Sequence, residues 1–287
     1  MENKKLKETE EKINLAVEDL FGELKKGKSD RLLKYLEFCS KFYRYSFSNT
    51  ILIWFQKPDA RHVAGFHKWS ELGFKINKGE KGITILAPRE YKYFIEDTGK
   101  WVFLNKEMIE ILPGNIEIRT GIRFIPVTVF DKAQVTNIGG KDLVDDYFYN
   151  IGNNFEQKYE NIKNLIVGTG IIVEEVKDIN AEGISLKGTI EIKETRDSNN
   201  KLLTLIHEWA HEILHQKNDR KDLTRGQIEL QAEVVSYVVC YWLGLKNPFT
   251  ADYVQNWGND GKELKKNLEI IVSTSNAMIN KISKIKN

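Results

Sequence analysis

The chain has 287 residues, 41% of them hydrophobic and 29% charged, with a formal net charge of +2. That length is too great for one small core and suits two domains of ordinary size, and no apolar run reaches the ~18 to 20 residues that cross a bilayer. Met1-Glu2-Asn3-Lys4-Lys5 lacks the apolar stretch of a secretory signal, so the expectation is a cytoplasmic protein with no membrane partner.

Ile13, Ala16, Val17, Leu20 and Leu24 recur at helical spacing, which predicts an amphipathic helix over 6–24. Gly27-Lys28-Ser29 ends it, and a second helix runs from Asp30 through Leu32, Leu36 and Phe42 towards Tyr45. Ser48 is placed as the N-cap of a short apolar helix over 49–56, stopped before Pro58. The period then changes. Segments 82–88, 91–95, 101–104 and 123–130 read as strands, with Asp97-Thr98-Gly99-Lys100 as a hairpin turn. The basic charge sits in this front part: residues 1–135 hold 24 Lys and Arg against 19 acids, which hints at a polyanionic partner. Cys39 and Cys240, each in an apolar helical setting, read as buried free thiols.

The run Tyr45-Ser46-Phe47-Ser48-Asn49 is followed by Gln56-Lys57-Pro58, Val63-Ala64-Gly65-Phe66, Trp69, Gly73 and the Lys78-Gly79-Glu80-Lys81-Gly82 turn. Ile85-Leu86-Ala87-Pro88 and Val129-Phe130-Asp131-Lys132-Ala133-Gln134 come next. In this order the segments resemble the N-terminal domain of ArdC-type antirestriction proteins, and the resemblance implies a domain that binds single-stranded DNA. Such binding needs cations that follow phosphates and aromatic faces that stack bases. Arg44, Tyr45, Lys57, Arg61, Trp69, Lys78, Lys81 and Arg89 are the candidates of suitable type. Core packing competes for the aromatic residues, most strongly for Trp54, and the glycines of the 78–82 turn are equally explained by a solvated β-turn.

Asn137-Ile138-Gly139-Gly140-Lys141 reads as a flexible joint, so the expected domains are 1–136 and 137–287. A helix over 144–166 and strands at 171–176 and 188–192 lead to Leu202–His215, which contains H-E-x-x-H. On a helix His207 and His211 stand one turn apart on one face, so both imidazoles can reach one ion, with Glu208 beside them. This is the arrangement of a zinc metallopeptidase, in which Zn2+ keeps an open position for water and Glu208 is the catalytic base. His215, about 12 Å along the axis from His207, is too far to share the ion. A third ligand must come from downstream. Glu229 and Glu233, at i and i+4 on an apolar helix over 225–243, would repel one another unless a cation or imidazole took up the charge. The pattern E-x-x-A-E resembles the second signature of gluzincin-like peptidases, including the ImmA/IrrE-type family and the C-terminal domain of ArdC-like proteins. That resemblance implies Glu229 as the third metal ligand and Glu233 as a carboxylate that orients a ligating histidine. His215, Arg225 and Tyr237 fit an oxyanion-stabilising role by type alone. Strand 188–192 is expected at the edge of its sheet, where a peptide substrate could pair with it. The last helix, with Leu264, Leu268, Ile271, Met278 and Ile282, closes the core.

The sequence thus predicts an α+β protein of two domains, a single-strand DNA-binding module joined to a mainly helical zinc metallopeptidase with a small sheet. Protection of incoming mobile DNA against restriction is the role the resemblance implies. Two alternatives remain open: a non-proteolytic antirestriction protein with a structural or dormant zinc site, and a regulatory protease that cleaves a repressor.

Overall fold

A computed structural model describes residues 2–114, 116–141, 150–215, 223–247, 257–258 and 260–285. In chain order the elements are α1 (Glu2–Lys25), α2 (Asp30–Lys41), α3 (Phe47–Gln56), β1 (Val63–Ala64), α4 (Phe66–Glu71), β2 (Phe74–Ile76), β3 (Ile83–Ile95), β4 (Trp101–Leu104) and α5 (Lys106–Ile111). There follow β5 (Arg119–Asp131), β6 (Val135–Asn137), α6 (Phe155–Val167), β7 (Ile172–Val176), β8 (Gly183–Ser185), β9 (Thr189–Lys193), α7 (Ser198–His215), α8 (Arg225–Trp242) and α9 (Gly261–Ile282). The class is α+β, with a strand-rich front and a helical rear that carries a small sheet. Among the described residues no helix is long and apolar enough to cross a membrane.

The front sheet has the order β1-β5-β3-β4, and β3 and β5 pair antiparallel from Ile83↔Val129 to Tyr93↔Arg119. Segments 82–88 and 91–95 are therefore one strand, although Pro88 lies between them. The N–H groups of Thr84 and Leu86 turn away from β5 towards α3, where the side-chain oxygens of Gln56 and Asn49 accept them at 3.0 and 2.8 Å. Pro88 follows at the same parity, so its missing N–H falls on the side that has no β5 partner to lose. The two amide side chains return the favour by donating to the Thr84 and Leu86 carbonyls, so α3 covers an otherwise open strand edge. The N-cap of α3 is Ser46, not Ser48, because Phe47 is buried and takes its place on the helix's apolar face.

The joint at 137–141 is a packed turn. Asn137 Oδ1 accepts from the Gly139 and Gly140 N–H groups, and a Cβ on Gly140 would lie 2.0 Å from the Leu72 carbonyl oxygen. Close approach to another backbone, and not freedom of the chain, explains that glycine. The expected helix over 144–166 begins only at Phe155, capped by Asn154; its predicted start at 144–149 lies outside the described residues.

One continuous cluster of buried apolar side chains extends from Ile13 to Ile282. α1 and α3 lie against α9, and α2 lies against α8. Polar ties cross the same seams: Tyr237 donates to Glu37 at 3.0 Å and Asn276 to the Tyr45 carbonyl at 2.8 Å. Cys39 and Cys240 are both buried free thiols, as the apolar setting implied.

In the rear sheet the order is β7-β9-β8, with β7 and β9 parallel and β8 antiparallel to β9. This corrects the reading of 188–192 as the edge. β9 is the middle strand, and the edge beside α7 is β8, three residues too short to show a period in the sequence.

Candidate metal centre and nucleic-acid surface

α7 buries Leu202, Leu205, Ile206, Trp209 and Ala210 in the core, which leaves His207 and His211 on the stripe that faces α8. Their Nε2 atoms stand 3.1 Å apart. Glu229, in the first turns of α8, brings Oε2 to 3.7 Å from His207 Nε2 and 3.4 Å from His211 Nε2. Among the described residues these three form a group that could hold a metal ion. The fit is chemical as well as spatial. Tetrahedral zinc with ligands at about 2.0 to 2.1 Å sets its ligand atoms roughly 3.3 Å apart, close to all three separations.

Charge in the metal-free site is arranged around the same atoms. Burial opposes a proton on His207, but Glu229, Glu208 and Glu233 outweigh it and raise its pKa above the ordinary histidine value. Burial and the neighbouring His207 push His211 down to about 4. Glu229, faced by His207 first and then by His211, is lowered to about 2 against partial desolvation. Glu208 goes the other way, pushed up to about 7 by burial and by the charges of Glu229 and Glu212, against the pull of His207 and a hydrogen bond from the Ser185 N–H. Glu233 is half-buried one turn beyond Glu229; burial raises its pKa, Glu229 adds to this, and His207 opposes it. Ligation requires neutral imidazoles, so protons compete with the ion at His207 while His211 is already free of its proton. Divalent-metal affinity is therefore expected to rise as pH climbs through the raised pKa of His207 and then level off. Chelator competition between pH 5.5 and 8 measures this, and a flat profile would exclude His207 as a ligand.

Two further residues complete the surroundings. Glu212, buried on α7, accepts from Ser185 Oγ at 2.7 Å and from the Gly188 N–H at 2.8 Å, which pins the β8–β9 turn to the helix. Gly183 permits the close contact of β8 with α7, since a Cβ there would lie 2.5 Å from Thr204 Cγ2 and 2.9 Å from Glu208 Cγ. Sequence reasoning missed both. Glu212 could have been found as a buried acid one place after the motif; Gly183 could not. His215 faces His211 and Gln231, and Tyr237 is bonded to Glu37, so these two oxyanion candidates are engaged elsewhere.

The eight residues of DNA-binding type fall in five places. Arg44, Tyr45 and Arg61 line a cavity of about 390 Å³ together with Lys41, Tyr43, His62 and Trp242. Lys57 ends α3 beside Asp59, Lys78 and Lys81 lie exposed in the loop before β3, and Arg89 is exposed on β3 itself. Trp69 is corrected: it is 1% exposed, with Nε1 donating to the Phe130 carbonyl at 2.8 Å, so its ring belongs to the core. The 129–134 segment is likewise structural, because buried Asp131 accepts from the N–H groups of Arg61, His62 and Ala133.

A surface absent from the sequence reading lies on the outer half of the front sheet. Strand parity places Arg89, Tyr91 and Tyr93 of β3, Trp101 and Phe103 of β4, and Arg119 and Arg123 of β5 on one face. Tyr93 and Trp101 stack at 4.5 Å and 2°, Tyr91 lies 5.4 Å from Phe103, and Trp101 and Phe103 are 50% and 62% exposed. The signal was present as alternation in Tyr91-Lys92-Tyr93 and Trp101-Val102-Phe103, but only the pairing shows that the aromatics converge.

A helix bearing H-E-x-x-H, a carboxylate from the next helix and a small mixed sheet alongside make a zincin-like group that could hold a divalent metal ion, set in an α+β protein. Residues 4–119 match the family described as the N-terminal domain of anti-restriction factor ArdC. That match spans the front of the chain, and in fold the chain is ArdC-like over most of its length. The metal-free crystal structure of the antirestriction protein ArdC from plasmid R388 superposes with a TM-score of 0.56 at 15% identity, covering 96% of this chain and 99% of that one. The Mn(II)-bound structure of the same protein gives 0.54 with the same coverage. An uncharacterized protein of Bacillus anthracis is 30% identical over 287 positions, covering 88% of this chain, and this chain spans about half (48%) of that relative's length.

Proposed function

We propose that the chain is a single-stranded-DNA-binding zinc metallopeptidase with an antirestriction role, residues 1–136 supplying the DNA-binding module and 137–287 the peptidase. The observation that carries the enzymatic half is the triangle of His207 Nε2, His211 Nε2 and Glu229 Oε2 with the Glu208 carboxylate one residue from the first. A solved relative holds Mn(II); the choice of zinc for this chain rests on its two imidazoles and single carboxylate at tetrahedral spacing. Zn2+ held there would lower the pKa of a water towards ~7 and polarise a carbonyl.

The chain's own residues do the rest. Glu208 accepts the proton of the attacking water and passes it to the leaving amine, the task of a carboxylate set beside the ligand pair. β8 offers its outer edge to an extended peptide substrate, which Glu212 holds at a fixed height above α7. Glu233 keeps negative charge beside His207 and favours its ligating orientation. Elemental analysis of purified chain tests the reading: one zinc per chain is expected, stoichiometric manganese in its place would replace the cofactor, and no metal would sink the peptidase. Gly183→Ala is expected to lift β8 off α7 and to lower peptide turnover more than metal content, read by comparing the two in one preparation.

The DNA half is favoured by the aromatic and arginine face of β3, β4 and β5, to which Arg89 belongs. Stacking is worth about 1 to 3 kcal/mol per base, so Trp101→Ala with Phe103→Ala should weaken a single-stranded oligonucleotide by at least about tenfold. Trp69→Phe should change binding little. Anisotropy at several salt concentrations decides; unaltered affinity in the double variant would remove this face from the interface, and no salt-dependent binding at all would remove the DNA half. Arg44, Tyr45, Arg61, Lys57, Lys78 and Lys81 are proposed to extend the contact along the strand's backbone.

A further inference from the structure

Behind the ligand triangle a line of hydrogen bonds runs through three helices. His211 Nδ1 lies 3.1 Å from His215 Nδ1, and His215 Nε2 lies 3.1 Å from Gln231 Oε1. Gln231 Nε2 donates to Asn267 Oδ1 at 2.8 Å, and Asn267 Nδ2 donates to the Trp257 carbonyl at 3.1 Å. All four side chains are buried.

With both imidazoles neutral, this line has one consistent polarity. A backbone carbonyl only accepts, so Asn267 must present its NH2 to Trp257 and its oxygen to Gln231. Gln231 then turns its own oxygen to His215, whose Nε2 must carry the proton. A neutral imidazole has a single N–H, so His215 Nδ1 accepts, and the donor is His211 Nδ1–H. His211 Nε2 is left as a bare lone pair, and that is the atom 3.1 Å from His207 Nε2 and 3.4 Å from Glu229 Oε2.

We propose that Gln231 and Asn267 are positioning residues that act through His215 to lock His211 in its Nδ1–H tautomer, so that Nε2 is ready for a divalent cation. The purpose rests on the metal-centre reading, while the tautomer itself is a property of the metal-free chain. α8 thereby performs two tasks two residues apart, supplying the carboxylate of Glu229 and, through Gln231, setting the proton on a ligand from another helix. The opposite tautomer would point an N–H at the ion and block it.

Two-bond 1H–15N spectra of the metal-free chain, labelled on histidine, read the tautomers directly, and chelator competition with Zn2+ reads affinity. In the wild type His211 should carry its proton on Nδ1 and His215 on Nε2. Gln231→Met, near in volume but unable to accept, should give mixed tautomers at both histidines and about 10- to 100-fold weaker zinc binding. Asn267→Leu keeps the Gln231 oxygen but releases its orientation, and should move both readouts in the same direction by less. Protonation of His211 on Nε2 in the wild type, unchanged tautomers and affinity in Gln231→Met, or a larger loss in Asn267→Leu than in Gln231→Met would each overturn the proposal. The expected tautomers in a wild-type chain with no affinity for Zn2+ would instead overturn the metal-centre reading.

Discussion

Glu208→Gln is expected to keep zinc at wild-type content and to lower peptide hydrolysis by about 100- to 10,000-fold. The amide has nearly the shape of the carboxylate, so the packing of β8 over α7 should survive. The ligand set of His207, His211 and Glu229 does not include it. What the amide cannot do is take a proton. The measurement is turnover of a generic peptide or casein substrate beside elemental analysis of the same sample. Antirestriction that persists in this variant would favour a DNA-binding protein whose metal is structural. Loss of zinc together with activity would show that residue 208 shapes the site and does no proton transfer.

The second large effect is at Glu229. Glu229→Ala leaves two imidazoles, and their Nε2 atoms 3.1 Å apart lose the carboxylate that offsets the positive charge of an ion between them. Removing groups that only orient a ligand costs about 10- to 100-fold in affinity, so loss of a ligand should exceed about 100-fold and leave the purified chain without zinc. Glu233→Gln, by contrast, should stay within that smaller range. If zinc remained bound in Glu229→Ala and left in Glu233→Gln, the two carboxylates would have to exchange roles.

The metal site was legible because its information is local. His207, Glu208 and His211 are fixed relative to one another by helix geometry alone, and Glu229 was reached through the resemblance of E-x-x-A-E, although its side chain lies half-exposed and not buried as its apolar neighbours suggested. What escaped depends on partners distant in sequence. β8 is three residues long, and only its pairing with β9 shows that it, and not 188–192, is the edge. Trp69 and Trp101 are the same residue type; one is core because α4 lays it against β5, where the Phe130 carbonyl takes its N–H, the other exposed because β4 ends the sheet. Pro88 hid the continuity of β3, since its tolerance depends on which side β5 takes. His215 was seen to be out of reach of the ion, but its use required Gln231 and Asn267 from two other helices.

The contact of α1 with α9 bears on how the protein is made. Asn14 accepts from Lys265 across a separation of 251 residues, so the helix that buries this flank of α1 is synthesised long after α1 itself. At about 5 to 20 residues per second, α1 waits on the order of tens of seconds with that side exposed. Translation speed and holdase chaperones should therefore govern the yield of native chain more than temperature does, and a nascent chain arrested before residue 261 should remain protease-sensitive at its own first helix.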